Sequence, residues 1–198
     1  PGQGAQKAGM GKDFYENSEA ARSFFDQAQK ILDFDLKEMC FGEHEELNLT
    51  EYTQPCMVSV CLAIVQELKK RGINPDITAG LSLGEYAAVA AAGGMNELDA
   101  IKLVRRRGIL MQSTVPAGEG AMAAVLGLDA KKIEEILESF ENVWIANYNC
   151  PGQIVITGLT NEVQQASLAL KEAGAKRVVE LKVSGPFHSL LLKPAGEA

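Results

Sequence analysis

The sequence predicts an α/β protein, with a larger α/β domain carrying a small inserted unit of ferredoxin-like βαββαβ order. Three observations predict it. Apolar positions recur at helical spacing through the first half, short apolar runs alternate with helical stretches after residue 120, and an apolar segment runs into a glycine-bracketed serine at residues 76–84. With 198 residues and 46% hydrophobic content the chain is long enough to bury such a core.

Each element has its own signal. Phe14, Phe24, Phe25, Ala28, Ile31 and Leu32 predict one amphipathic helix over 12–33, and the mixed, acidic residues 34–50 read as a loop with a short helix. A helix is expected from Thr53 to Lys70, with Pro55 in its first turn and "MVSVCLAIVQEL" apolar on nearly every side, so it belongs inside the protein. "DITAG" (76–80) reads as a short buried strand, the alanine-rich helix after Ser82 stops at Gly93-Gly94, and Asn96 caps a further helix running to about Ser113. Strands are expected at 121–128, 143–147, 153–158 and 177–183, with helices at 129–140 and 160–173 between them. That order sets a small subdomain at 118–184, with 1–117 and 185–198 forming the larger domain. The larger domain reads as incomplete at both ends, because one core strand precedes the insert and the tail after 184 is too short to finish a sheet. The start at Pro1, on a glycine-rich turn, reads as a first strand cut away.

Composition excludes several classes. A formal net charge of -7 argues against a general nucleic-acid binder, which needs a basic face to displace phosphate counterions. No apolar run reaches the roughly 18 residues of a membrane span. Cys40, Cys56, Cys61 and Cys150 have neither zinc-site spacing nor the density of a disulfide scaffold, so free thiols in a reducing cytoplasm, and no metal, are expected.

Gly80-Leu81-Ser82-Leu83-Gly84 fits a strand–turn–helix elbow that lifts a serine hydroxyl out of the backbone and aims the Leu83 N–H at any oxyanion formed there. The same residues also fit a serine N-cap on a glycine-rich turn. A serine nucleophile needs a base, and the chain has two histidines. His44 sits in "FGEHEELN" among glutamates and reads as a surface residue; His188, in "VSGPFHSLLL", is the candidate base. On a helical wheel of 101–112, Leu103, Val104, Leu110 and Met111 share an arc with Arg107 near its middle, while Arg105 and Arg106 flank it as solvated charges. An inward guanidinium needs an anion: a structural carboxylate such as Glu85, or an anionic substrate. "GQGAQ" offers exposed amides at a turn, and Asn147 and Asn149 in "ANYNCPGQIVITG" line a site or satisfy their own turn.

Together "PGQGAQ...GMG", "GLSLGEYAAVAAAGG", "VRRRGILMQ", "NYNCPGQIVITG" and "GPFHS" closely resemble the malonyl-CoA:acyl carrier protein transacylases of fatty-acid synthesis and the acyltransferase domains of polyketide synthases, over essentially the whole chain. The resemblance implies an α/β-hydrolase-like large domain around the ferredoxin-like one. It implies a ping-pong transfer of malonyl from malonyl-CoA to the phosphopantetheine thiol of acyl carrier protein, with no permanently bound cofactor. Ser82 would be the nucleophile and also cap its helix, His188 the base, and Arg107 the partner of the malonyl carboxylate. The backbone amides of Gln3 and Leu83 would form the oxyanion hole. Leu81, Asn149 and Phe187 are possible lining residues, Phe187 in the malonyl-selecting form of its segment. A monomer is expected, with Lys182 and Lys193 as candidate carrier contacts. Alternatives are a polyketide-associated acyltransferase, a serine hydrolase or thioesterase, and a non-catalytic carrier-binding fragment. The family has a strand before "PGQG" and a further segment after the histidine motif, with a glutamine that orients the base. It commonly carries histidine where this chain has Leu81.

Overall fold

The computed structural model describes residues 1–116 and 118–198, and its contacts divide into two units, residues 1–109 and 110–198. Ala117, at the expected edge between the two domains, lies outside the described residues.

The first unit is helical. α1 (Lys12–Asn17) and α2 (Glu19–Gln29) replace the single helix expected over 12–33, because Ser18 turns extended and its Oγ accepts from the Ala21 N–H, capping α2. α3 (Leu36–Phe41) follows, capped by Asp35. α4 (Thr50–Lys70) begins a turn earlier than Thr53, whose hydroxyl instead donates to the Leu47 and Leu49 carbonyls. Eleven of its residues from Thr50 to Ala63 are buried, so it is the spine of the unit, with α2 and α5 (Leu83–Ala91) packed against it. α5 ends as expected, Gly93 N–H and Gly94 N–H closing onto the Ala90 and Val89 carbonyls. Asn96 Oδ1 then accepts from Leu98 and Asp99 N–H to cap α6 (Glu97–Thr114).

One expected element is missing. "DITAG" is not a strand, and Ile77 is 87% exposed. A strand exists only by pairing, and every strand among the described residues lies from residue 120 onward, in the second unit.

The second unit is an antiparallel sheet with helices. β1 (Gly120–Leu126), α7 (Ala130–Leu137), β2 (Val143–Cys150), β3 (Gln153–Leu159), α8 (Thr160–Glu172) and β4 (Arg177–Glu180) follow the expected order, and the sheet runs β2-β3-β1-β4. β4 is shorter than expected, stopping at Glu180. Ala121, Ala123, Val125, Ile154 and Ile156 meet Ile133, Leu137, Val163, Ala166 and Leu170 of the two helices in one core. The opposite sheet face packs Met122, Ala124 and Val155 with Met111 and Phe187, and a short α9 (Lys193–Glu197) closes the chain. Among the described residues no helix is long and apolar enough to cross a membrane.

Candidate active site

Ser82 stands at the N-terminus of α5 with φ 50° and ψ −111°, a backbone state that side-chain-bearing residues adopt only under constraint. Two glycines supply the constraint. A Cβ on Gly80 would lie 2.1 Å from the carbonyl carbon and oxygen of Gly84, and a Cβ on Gly84 would lie 2.7 Å from the carbonyl oxygen of Pro1. Backbone is therefore packed on backbone on both sides of the serine. Gly84 N–H donates to the Leu81 carbonyl (2.9 Å) and Glu85 N–H to the Ser82 carbonyl (3.1 Å), which closes the turn. The Ser82 side chain makes no capping hydrogen bond to α5. The expected capping role is corrected to that extent: at φ 50° the serine is not in the extended state from which an N-cap side chain folds back onto the first turn of its helix.

Leu83 buries its side chain in the core, while its N–H is the first of α5, without an intrahelical acceptor and at the positive end of the helix dipole. Leu81 is exposed at 58%. The opening "PGQG" turn lies on this elbow, since a Cβ on Gly2 would meet the Leu81 carbonyl oxygen at 3.2 Å. Gln3 follows directly on that contact in the chain, and its side-chain Oε1 accepts from the Thr50 hydroxyl at 2.9 Å.

Arg107 reaches α4 and α5 from α6. Gly108 beside it packs on the start of α4, where a Cβ would lie 2.7 Å from the Glu51 Cα and 2.8 Å from the Thr50 carbonyl oxygen. Arg107 Nη1 donates to Gln54 Oε1 at 2.7 Å, and the guanidinium lies over the Tyr86 ring, 5.5 Å from its centroid. Tyr86 is four residues, one helical turn, after Ser82. No carboxylate among the described residues pairs with Arg107, and Glu85 is exposed. Gln54 Nε2 in turn donates to Thr50 Oγ1 at 2.8 Å, so a single chain of hydrogen bonds runs from Arg107 through Gln54 and Thr50 to Gln3.

The structural ion pair belongs to Arg105, which corrects its reading as a solvated charge. Its Nε and Nη2 donate to the two oxygens of Asp33 (2.9 and 2.8 Å), and Nη1 donates to the Glu51 carbonyl (2.8 Å) and carboxylate. Phe34 and Tyr52 stack against the guanidinium, whose side chain is 12% exposed. The Glu51 carbonyl needs this donor because Pro55, four residues on, has no N–H to offer it. The hydrogen bonds from Arg105 hold the Asp33 carboxyl below the usual carboxylate range. Leu103, expected on the buried arc, is 43% exposed.

The remaining candidates are in the second unit. His188 is exposed with φ 61°, in a segment held by Pro186 against Gly120 and by Ser189 Oγ donating to the Pro186 carbonyl. Phe187 is buried against Met111, Met122, Ala124 and Val155. Asn149 is exposed on β2, where the pairing register shifts between Tyr148 and Cys150. His44 pairs with Glu38 at 3.1 Å, apart from the elbow. Thus Ser82, Leu81, Leu83, Gln3 and Arg107 are gathered in the first unit, and His188, Asn149 and Phe187 belong to the second. Among the described residues no cluster of three His, Cys, Asp or Glu side chains offers itself to a metal. Sequence reading missed Thr50, Gln54 and Tyr86; the available signal was a Thr/Gln pair one turn apart on an otherwise apolar helix.

The model of the acyl transferase domain family matches residues 1–198. The malonyl CoA-acyl carrier protein transacylase of Bacillus subtilis (strain 168) is 50% identical over 202 residues, covering 100% of this chain and 64% of that protein. The crystal structure of the transacylase of the same name from Clostridium perfringens matches with a TM-score of 0.91 at 44% identity, over 99% of this chain and 63% of that one. A malonyl-transacylase solved in complex with a type II polyketide synthase acyl-carrier protein matches with a TM-score of 0.94 at 40% identity, over 100% of this chain and 65% of that one. The chain thus spans about 64% of the length of the curated relative from Bacillus subtilis. With the elbow at Ser82 and the family model matched from end to end, the chain belongs to the acyl transferase domain family.

Proposed function

We propose that the protein transfers a malonyl group from malonyl-CoA to the phosphopantetheine thiol of acyl carrier protein. The observation that carries this reading is a strained serine elbow together with a guanidinium that lies over Tyr86, one turn along α5, and pairs with no carboxylate among the described residues. A hydrolase of neutral esters has no use for such a cation; an acyl group with a free carboxylate does. The names of the relatives point the same way.

In the proposed reaction Ser82 Oγ attacks the thioester carbonyl and its proton passes to His188. The carbonyl oxygen takes the negative charge, and the Leu83 and Gln3 backbone N–H groups donate hydrogen bonds to it. The C–S bond breaks, and the CoA thiolate leaves with the proton from the histidine. Malonyl-Ser82 is then attacked by the carrier thiol, its proton again taken by His188 and returned to Ser82 Oγ as the serine leaves. Arg107 holds the malonyl carboxylate through both halves. Leu81, Asn149 and Phe187 are the proposed lining.

For the architecture, we propose that 118–184 is the ferredoxin-like subdomain and that 1–117 with 185–198 is part of an α/β-hydrolase-like domain. The antiparallel order β2-β3-β1-β4 supports the first assignment, and the serine elbow supports the second. Intact-mass analysis of the full-length protein after brief exposure to malonyl-CoA tests the chemistry. A malonyl adduct absent from Ser82→Ala is expected; a folded wild type that takes up no malonyl would overturn the reading.

A further inference from the structure

Arg107, Gln54, Thr50 and Gln3 form a hydrogen-bonded chain whose direction is forced at every link. Arginine has no acceptor, so the Gln54 atom facing Arg107 Nη1 must be Oε1. That fixes the amide, and Gln54 Nε2 must point the other way, where it donates to Thr50 Oγ1. The Thr50 hydroxyl has one proton, and it goes to Gln3 Oε1. Gln3 Nε2 is left buried without a partner, although rotating that amide would give Thr50 Oγ1 a second donor in place of an acceptor. The polarity set at Arg107 thus reaches the loop beside Ser82. Gln54 is fully buried and Thr50 is 1% exposed, so water does not compete at the middle links.

We propose that Thr50 and Gln54 are positioning residues that preset the Arg107 guanidinium for a carboxylate and tie it to the Gln3 loop. This rests on the reading of Arg107 as the malonyl partner. Gln54 holds Nη1 in the guanidinium plane while the Tyr86 ring covers one face, which leaves Nε and Nη2 as a parallel pair for two carboxylate oxygens. Without the Thr50 hydroxyl, the Gln54 NH2 loses the acceptor it has on that side, and the amide facing Arg107 Nη1 is held less firmly. The fork then loses its in-plane support. Thr50 touches neither Arg107 nor Ser82 in this chain of bonds, so its effect on acyl choice is transmitted.

The test compares malonyl-CoA with acetyl-CoA as acyl donors in the full-length protein, reading kcat/KM for each. Loosening Gln3 slows both acyl groups alike, whereas loosening Arg107 slows malonyl alone, so the malonyl-to-acetyl ratio isolates the proposal. Thr50→Val removes the hydroxyl at nearly constant shape and is expected to lower that ratio by up to about tenfold, equivalent to about 1.4 kcal/mol, the upper part of the range for a hydrogen bond between neutral groups. Thr50→Ser keeps the hydroxyl and is expected to restore the ratio. Gln54→Met breaks the chain at the next link and gives the same loss independently of how Thr50→Val folds. An unchanged ratio in Thr50→Val or Gln54→Met, with Arg107→Ala collapsing it, overturns the relay and leaves the reading of Arg107 standing. A ratio unmoved by Arg107→Ala overturns both.

Discussion

Replacing Gly80 with alanine tests whether the elbow holds Ser82 by backbone contact. The added Cβ would sit 2.1 Å from both the carbon and oxygen of the Gly84 carbonyl and 2.3 Å from the Glu85 nitrogen. Ordinary contact for such atoms is about 3.5 Å or more, so the overlap exceeds about 1 Å. All three neighbours are backbone atoms in the first turn of α5, and no flexible side chain is there to yield. The segment before Ser82 must move off the helix, and the serine moves with it. A misplacement of about 1 Å is enough to cost on the order of 100-fold in rate, and overpacking of this kind costs about 1–3 kcal/mol in stability. The assay is the rate of malonyl-adduct formation on Ser82, followed by mass spectrometry alongside a thermal melt. Gly93→Ala is the control: it strains a left-handed residue (φ 79°) at the far end of the same helix, with no atom within 4 Å of the new Cβ. It is expected to lower stability by about 1–2 kcal/mol and to leave the acylation rate of the folded fraction near that of wild type. Acylation at the wild-type rate in Gly80→Ala would refute the argument, because the elbow would then hold without the contact.

Gly108→Ala puts a Cβ 2.7 Å from the Glu51 Cα, so α6 is expected to shift from α4, lowering stability by about 1–3 kcal/mol and raising the KM for malonyl-CoA more than that for acetyl-CoA; steady-state kinetics with both donors checks it. Arg105→Met keeps bulk between Phe34 and Tyr52 but removes the Asp33 fork and leaves the Glu51 carbonyl without its donor, which is expected to cost about 2–3 kcal/mol in chemical denaturation. Acid stability should change with it. Because Arg105 depresses the Asp33 carboxyl in the folded state, that contribution is fully present above the usual carboxylate range and is lost as pH falls through the lowered folded value. In Arg105→Met this part of the acid-side decline should disappear, and an unchanged pH dependence between wild type and variant below the usual carboxylate range would contradict the assignment.

The second unit was the more legible half, for a physical reason. Its elements are consecutive in the chain, each strand is bounded by turn residues, and each pairs with a neighbour formed from the same stretch, so local pattern and tertiary partner agree. The elbow was legible too, because the demand for glycine on both sides of Ser82 is written at fixed spacing. The failures lie where the partner is distant. "DITAG" has strand composition, but composition does not supply the neighbouring strand that makes one. The arginines of α6 show the same limit more sharply. A wheel gives each side chain an angle, and by angle Arg107 is inward while Arg105 is lateral. What decides their roles is Asp33, 72 residues before Arg105, and the Glu51 carbonyl that Pro55 leaves without a donor. Those groups settle Arg105 into a structural pair, while no carboxylate among the described residues meets Arg107. The arginine proposed to meet substrate is thus told apart by what its described neighbours do not offer it. Gln54 and Thr50 went unread for the complementary reason: on a helix that is apolar on nearly every side, two buried polar residues one turn apart have meaning only when the donor above them and the acceptor beyond them are known.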